Sequence, residues 1–221
     1  HYAYHIKAGK EIFAAEGAFG QYLICFRDFP VAIGITAGAR EYLAADICLK
    51  YMKEAISEPC NEEQLEAAEK ALRAKLNSLS LVQPEGTFRT ARKEAAKLFD
   101  RKILFTENPR KVESVVFTKE GYRIKIEAVI NGEQKTLYAS YKAWKRNNLY
   151  PDDFTKKYQS VAYAMDAEAL YLSVGLINTS YKEEYSLWVN SEDKVIATWR
   201  PNVTYLPEEP DMVWKFTGTF E

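Results

Sequence analysis

The glycines at positions 17 and 20 are the first feature of this sequence that could serve chemistry. They lie within the segment 13–38, directly before the apolar run Gln21–Phe26. Because glycine has no side chain, another group can approach the backbone closely at these positions. A strand that ends there can present main-chain N–H groups to a substrate. The alternative interpretation is a glycine at a strand bulge beside a surface glutamate.

Side chains that often perform acid–base or nucleophilic chemistry are few or isolated. The only histidines, His1 and His5, lie at the start of the sequence, so a histidine-dependent triad is not expected. The run 192–194 (Glu-Asp-Lys) resembles half of a nuclease motif, but it lacks a partner carboxylate and favours a solvated turn. The three cysteines have no metal-type spacing, so neither a metal nor a cofactor is predicted.

The elements around the two glycines are predicted as strands followed by helices. Residues 21–26 and 31–36 are nearly unbroken apolar runs of strand length, which predicts an antiparallel pair covered on both faces. An amphipathic pattern over residues 39–57 predicts a closing helix. A second helix is predicted over residues 61–77, where Asn61 and Gln64 have the spacing of a capping box.

After the second helix the period of the apolar residues changes to two. Residues 122–130 alternate between apolar and polar, and Asn131-Gly132 is a strong hairpin signal. About seven such strands predict a barrel or a curled sandwich. Six aromatic residues of this region could line a binding groove, or they could simply pack in its core. They are Tyr171, Tyr181, Tyr185, Trp188, Trp199 and Trp214.

The composition excludes several classes of function. The 30 Lys and Arg residues nearly balance the 31 Asp and Glu residues, so we expect no nucleic acid partner. No apolar run approaches the roughly 20 residues of a membrane-spanning helix. The hydrophobic fraction of 47% supports a packed core. The odd number of unpatterned cysteines favours a reducing compartment, so a cytoplasmic location is expected.

The pattern F-x-A-x-G-x-F-G-Q-Y over residues 13–22 is followed by an apolar hairpin, a T-x-G and a helix. It resembles the C-terminal part of the catalytic domain in the serine β-lactamase-like hydrolases, which include class C β-lactamases, penicillin-binding carboxypeptidases and esterases. The resemblance implies an α+β fold in three parts. Residues 1–58 would be the catalytic sheet with its closing helix, 59–86 a helical connection, and 87–221 a mainly antiparallel β-rich accessory domain, barrel-like or sandwich.

The resemblance also implies site residues. Ala15, Glu16 and Gly17 would stand where the family carries Lys-Thr-Gly, with Ala15 and Glu16 in the wall that binds the substrate. Gly17 would keep the strand open, and the N–H of Ala18 would donate to an oxyanion. Because the family's lysine is absent here, an ester or amide is expected rather than a β-lactam.

These implications predict the function of the chain. The family's Ser-x-x-Lys nucleophile motif is not found in its usual setting, so we expect the inactive C-terminal part of a serine hydrolase. Its partners would be the remaining N-terminal part of the catalytic domain and a small ester or amide substrate. The alternative is a non-catalytic β-barrel-like module that binds a small ligand or a partner protein. A third hypothesis is an unrelated fold whose first forty residues match by chance.

Overall fold

A computed structural model describes most of the chain as two compact units, 1–82 and 83–221. The described residues are 5–8, 11–39, 43–58, 60–87, 93–150, 152–153, 157–203 and 213–221. Each unit is presented by itself. The predicted boundaries at residues 58 and 86 stay a prediction.

The first unit contains a four-stranded antiparallel sheet followed by two helices. The strands, in sheet order, are β1 (His5–Ala8), β2 (Ile12–Gly17), β3 (Gln21–Phe26) and β4 (Ala32–Ile35), and the helices are α1 (Leu43–Ser57) and α2 (Glu62–Ser78). Ala14, Tyr22 and Ile24 form the buried centre of this sheet. Gly17 is the last residue of β2, and Gly20 lies in the turn that follows it.

Two local predictions for this unit have opposite outcomes. The capping box is confirmed, because Gln64 N donates to Asn61 Oδ1 over 2.9 Å and Asn61 N donates to Gln64 Oε1 over 3.1 Å. The prediction that β3 is covered on both faces is wrong. Its residues alternate in burial, and Leu23 is 52% exposed while Ile24 is buried. An apolar run thus forms a strand with one covered face.

The second unit contains ten strands among its described residues, and nine of them close into a barrel. The strands are β5 (Lys102–Phe105), β6 (Val112–Glu120), β7 (Arg123–Ile130), β8 (Glu133–Tyr141), β9 (Lys145–Asn148), β10 (Tyr158–Met165), β11 (Ala169–Leu176), β12 (Lys182–Val189), β13 (Val195–Pro201) and β14 (Trp214–Phe220). From β10 the ring runs through β11, β12, β13, β14, β5, β6, β7 and β8 and returns to β10. A short 3₁₀ helix, Lys93–Leu98, precedes the ring and buries Ala95 and Leu98.

The predicted α+β fold of a β-lactamase-like domain is therefore wrong, since the described chain is mostly β and its larger unit is a closed barrel. The physical reason is the alternation of the strands. In β7, for example, Ile124, Ile126 and Ala128 are buried while Arg123 is exposed, so one face of the sheet needs a partner. A sheet can cover that face by curling until its apolar side chains meet one another.

The barrel closes at an irregular junction between β8 and β10. These strands run parallel and pair only at Ser140–Ala162 and Tyr141–Tyr163, and β9 pairs with the first half of β10 instead. The side chain of Asn147 on β9 reaches the backbone of β8. Tyr138 N donates to Asn147 Oδ1 over 2.7 Å, and Asn147 Nδ2 donates to Tyr138 O over 2.9 Å. One buried amide thus replaces two ladder hydrogen bonds between strands.

The turn between β10 and β11 is held by the carboxylate of Asp166. Its Oδ1 accepts from the N–H groups of Glu168 (2.8 Å) and Ala169 (2.7 Å), and its Oδ2 accepts from the Tyr171 hydroxyl. Burial alone would raise the pKa of Asp166, but these hydrogen bonds outweigh it and lower that pKa. Burial and the bond to Asp166 raise the pKa of Tyr171 to about 12.

We expect Tyr171 to ionise near pH 12 and to destabilise the barrel as it does so. A raised pKa in the folded protein gives stability that is fully present below the ordinary tyrosine value of about 10 and is lost as the pH rises through the folded value. Ultraviolet titration of tyrosinate should show a late step that Tyr171→Phe removes and that the exposed-site control Tyr122→Phe retains. A step near pH 12 that survives in Tyr171→Phe would contradict the assignment.

Candidate functional site

The interior of the barrel contains a cavity of about 120 Å³. It is lined from nearly every side of the ring, because alternate residues of each strand face inward. Among the described residues that line it, fifteen of twenty are apolar. Representative members are Val115, Phe117, Ile126, Leu137, Leu172 and Phe216. The barrel is therefore not packed solid.

The size and chemistry of the cavity favour a small apolar occupant. A single buried water needs roughly 10–15 Å³ and two to four polar partners. A cavity of about 120 Å³ has room for several such waters, but its mainly apolar walls offer few partners. Concave sites with apolar walls and a few convergent polar groups are typical of small-molecule binding.

The convergent polar groups are Arg110, Glu183 and Tyr185, which lie together in the cavity wall. Arg110 comes from the loop before β6, and the other two face inward from β12. Arg110 Nη2 lies 3.1 Å from Glu183 Oε1, and the Tyr185 hydroxyl donates to Glu183 Oε2 over 2.7 Å. Arg110 Nε also donates to the Tyr185 hydroxyl over 3.3 Å. The three side chains form a closed network.

The electrostatics of this network fix its charge. Burial raises the pKa of Tyr185 far above the usual range, and the neighbouring Glu183 carboxylate raises it further, so the phenol stays neutral. Burial lowers the pKa of Arg110, but Tyr185 and Glu183 outweigh that effect and the net shift is upward. Among the described lining residues, Arg110 and Glu183 are the only charged ones, and their charges balance.

Two tryptophans adjoin the network at the same end of the barrel. Trp199 on β13 pairs with Tyr185 on β12 and with Trp214 on β14. The ring centroids of the two tryptophans are 4.4 Å apart. The Arg110 guanidinium lies 5.4 Å from the Trp199 ring. The indole Nε1 of Trp199 is buried and has no hydrogen-bond partner within the described part of the chain.

The site residues that the sequence predicts lie elsewhere, in the first unit. Ala15 and Glu16 lie within β2, which pairs with both β1 and β3, and Gly17 is its last residue. Ala18 is exposed in the turn that follows, where Phe19 and Gly20 have positive φ. The structure thus keeps the four residues adjacent at the end of β2, and their catalytic role stays a prediction.

The other candidate residues from the sequence are the charged run 192–194, the histidines and the six aromatic residues. Residues 192–194 lie in an exposed turn, as predicted, with Lys194 Nζ 2.9 Å from Glu192 Oε2. His1 lies outside the described residues. Of the six predicted aromatic residues, Tyr185 lines the cavity and Trp199 packs against the surrounding core.

The sequence predictions missed Arg110 and Glu183. Glu183 has one detectable signal, since it alternates in phase with Tyr185, Leu187 and Val189 and so belongs to the inward face of β12. A charged residue in that phase indicates a buried polar site. Arg110 lies outside the strands, and no pattern in the sequence marks it.

Comparisons with known proteins do not assign the chain to a family. No family model and no curated protein matches the chain. Among solved structures, apo lipid binding protein 8 of Caenorhabditis elegans aligns with a TM-score of 0.45 and 7% identity, over 59% of this chain and 100% of its own. A fatty-acid-binding protein from Manduca sexta aligns with a TM-score of 0.41 and 10% identity, over 55% of this chain and 98% of its own. The REP1-NXSQ fatty acid transporter aligns with a TM-score of 0.42 and 12% identity, over 57% of this chain and 97% of its own.

The assignment to the β-lactamase-like serine hydrolases is wrong. The described chain is mostly β, and its larger unit is a closed barrel with an apolar cavity. The alternative prediction, a barrel module for a small ligand, replaces the hydrolase prediction. An N-terminal catalytic partner and an ester or amide substrate have no support. Within the described residues, no helix is long and apolar enough to cross a membrane.

Proposed function

We propose that the barrel of residues 83–221 binds a small apolar molecule in its interior. The observation that carries the proposal is the cavity of about 120 Å³ with its largely apolar wall. Transfer of an apolar molecule from water into such a space is favourable in proportion to the apolar area removed from water. The Arg110–Glu183–Tyr185 network at one end would orient a ligand that is otherwise held by apolar contacts.

The proposal predicts that filling the cavity abolishes binding. Ala197 lines the cavity and is 1% exposed, so Ala197→Leu should occupy the space that the ligand needs. Three six-carbon probes, namely hexane, methyl butyl ketone and hexanoate, can be titrated into the protein and followed by NMR. We expect at least one to bind the unchanged barrel and to lose affinity about tenfold or more in Ala197→Leu.

The matched control is Ala143→Leu, which makes the same change at an exposed position. It should bind the probes as the unchanged protein does. Thermal unfolding of both variants distinguishes a filled cavity from a barrel that no longer folds, because overpacking also destabilises. If none of the three probes shifts the resonances of cavity residues, the proposed function is refuted.

A further inference from the structure

The wall of the cavity contains a buried amide, that of Gln159, whose hydrogen-bonding groups the protein leaves unused. Gln159 lines the cavity and is 7% exposed. Its backbone carbonyl accepts a bond from Asn147 Nδ2, but no described residue forms a hydrogen bond with its side-chain amide. Such an amide can donate two hydrogen bonds and accept two. Because buried polar groups in native proteins nearly always have a partner, we expect its partner to come from within the cavity.

The other polar residues of the cavity wall do not share this property. Arg110, Glu183 and Tyr185 bond one another in the network described above. Tyr150 is only partly buried, so its hydroxyl does not require a partner within the cavity. Among the described lining residues, Gln159 is therefore the buried one whose polar group is available to a ligand.

Gln159 lies at the same end of the barrel as the polar network. Val174 on β11 pairs with Val161 on one side and with Glu183 on the other. Gln159 lies two residues before Val161 on β10, so both share the inward face of that strand, and both line the cavity. A ligand whose polar group meets Gln159 therefore places its apolar part along the rest of the wall.

The charge balance of the cavity restricts the group that Gln159 can bind. Arg110 and Glu183 are the charged residues among the described lining residues, and they pair with each other. A ligand carboxylate or ammonium group would bring an uncompensated charge into a mainly apolar cavity, which is strongly unfavourable. The neutral Gln159 amide, with its donors and its acceptor both unused, matches an uncharged group that also donates and accepts.

We propose that the ligand carries an uncharged group that both donates and accepts hydrogen bonds, such as a carboxamide or a hydroxyl, and that the Gln159 amide binds this group. The inference rests on the proposed function of the barrel and deepens it. A ketone or an ester only accepts hydrogen bonds, so it would leave the carbonyl oxygen of the Gln159 amide unpaired. A hydrocarbon would leave the whole amide unpaired.

Hexanamide, added to the three six-carbon probes, tests the inference because the four molecules have the same number of carbons and differ in the polar group. We expect hexanamide to bind the unchanged barrel more tightly than hexanoate. Gln159→Met keeps the length of the side chain but removes its hydrogen-bonding groups, so the affinity for hexanamide relative to hexane should fall about tenfold or more. Gln134→Met makes the same change at an exposed position of the barrel and should leave that ratio unchanged.

Two further measurements separate a hydrogen bond from a change in packing. The ¹⁵N-bound side-chain protons of Gln159 should shift on addition of hexanamide in the direction of a stronger hydrogen bond, and hexane should not produce this shift. Gln159→Met should unfold at the same temperature as the unchanged protein or at a higher one, because an apolar side chain replaces a buried amide that has no partner within the described residues.

The outcomes distinguish the two proposals. If no probe binds, the proposed function itself fails. If the probes bind but Gln159→Met leaves the ratio of hexanamide to hexane affinity unchanged, or if hexanoate binds the unchanged barrel most tightly, the barrel binds ligands and the inference about their polar group is overturned. A clearly lower unfolding temperature of Gln159→Met would show that the amide already has a partner within the protein, which also overturns the inference.

Discussion

Asn147→Ala lowers the free energy of unfolding of the barrel by about 3 kcal/mol, which we expect as one of the two largest effects of a single substitution. Asn147 is buried, and its amide bonds both the N–H and the C=O of Tyr138 at the junction of β8 and β10. Alanine would leave these two backbone groups without partners, and each buried unpaired group costs about 1–3 kcal/mol. Urea unfolding measures the difference.

The neighbouring residue provides the control for this prediction. Asn148 lies in the same strand but is exposed, so Asn148→Ala should change stability by no more than about 0.5 kcal/mol. Asn147→Asp keeps the acceptor for Tyr138 N but places a carboxylate against Tyr138 O, so it should also destabilise. Equal stability of the alanine variants at 147 and 148 would show that the amide does not close the barrel.

Local features of the fold could be predicted from the sequence because their causes are local. Asn131 and Gly132 have φ angles of 52° and 76° in the turn between β7 and β8, as the Asn-Gly hairpin signal predicts. The capping box at Asn61 and Gln64 is present for the same reason. In both cases the residues that decide the conformation are the residues that adopt it.

Closure of the ring could not be predicted, because it depends on pairing between strands that are remote in the sequence. Nothing in residues 158–165 indicates that β10 pairs with β8 as well as with β11. Asn147 illustrates the difficulty. In the sequence Lys-Arg-Asn-Asn it looks like a loop residue, and its burial follows from a partner, Tyr138, that the pattern does not identify.

The candidate site was missed for a related reason. A short match over residues 13–22 directed attention to Gly17 and Ala18, although the cavity is formed by the other unit. The cavity exists because side chains from many strands fail to fill the ring, which is a property of packing in three dimensions. Only the inward phase of Glu183 in β12 could have indicated the polar end.

Glu183→Ala is expected to destabilise the barrel by about 2–3 kcal/mol, because Arg110 then lacks its carboxylate and Tyr185 its acceptor. Removing one member of a fully buried pair costs about 3–5 kcal/mol. The Glu183 side chain is 9% exposed but that of Arg110 is 34% exposed, so water can solvate part of the remaining charge and the effect is smaller. Urea unfolding near neutral pH measures it.

The adjacent glutamate is the matched control for this substitution. Glu184 is 42% exposed and pairs with Lys182 at 2.8 Å on the outer face, so Glu184→Ala should cost no more than about 0.5 kcal/mol. Replacing both partners, Arg110→Met with Glu183→Leu, should recover the part of the loss that comes from the unpaired Arg110 charge, while the Tyr185 hydroxyl still lacks its acceptor. If the double variant were as unstable as Glu183→Ala, the loss would come from packing around β12, and the charge balance of the cavity would not depend on this pair.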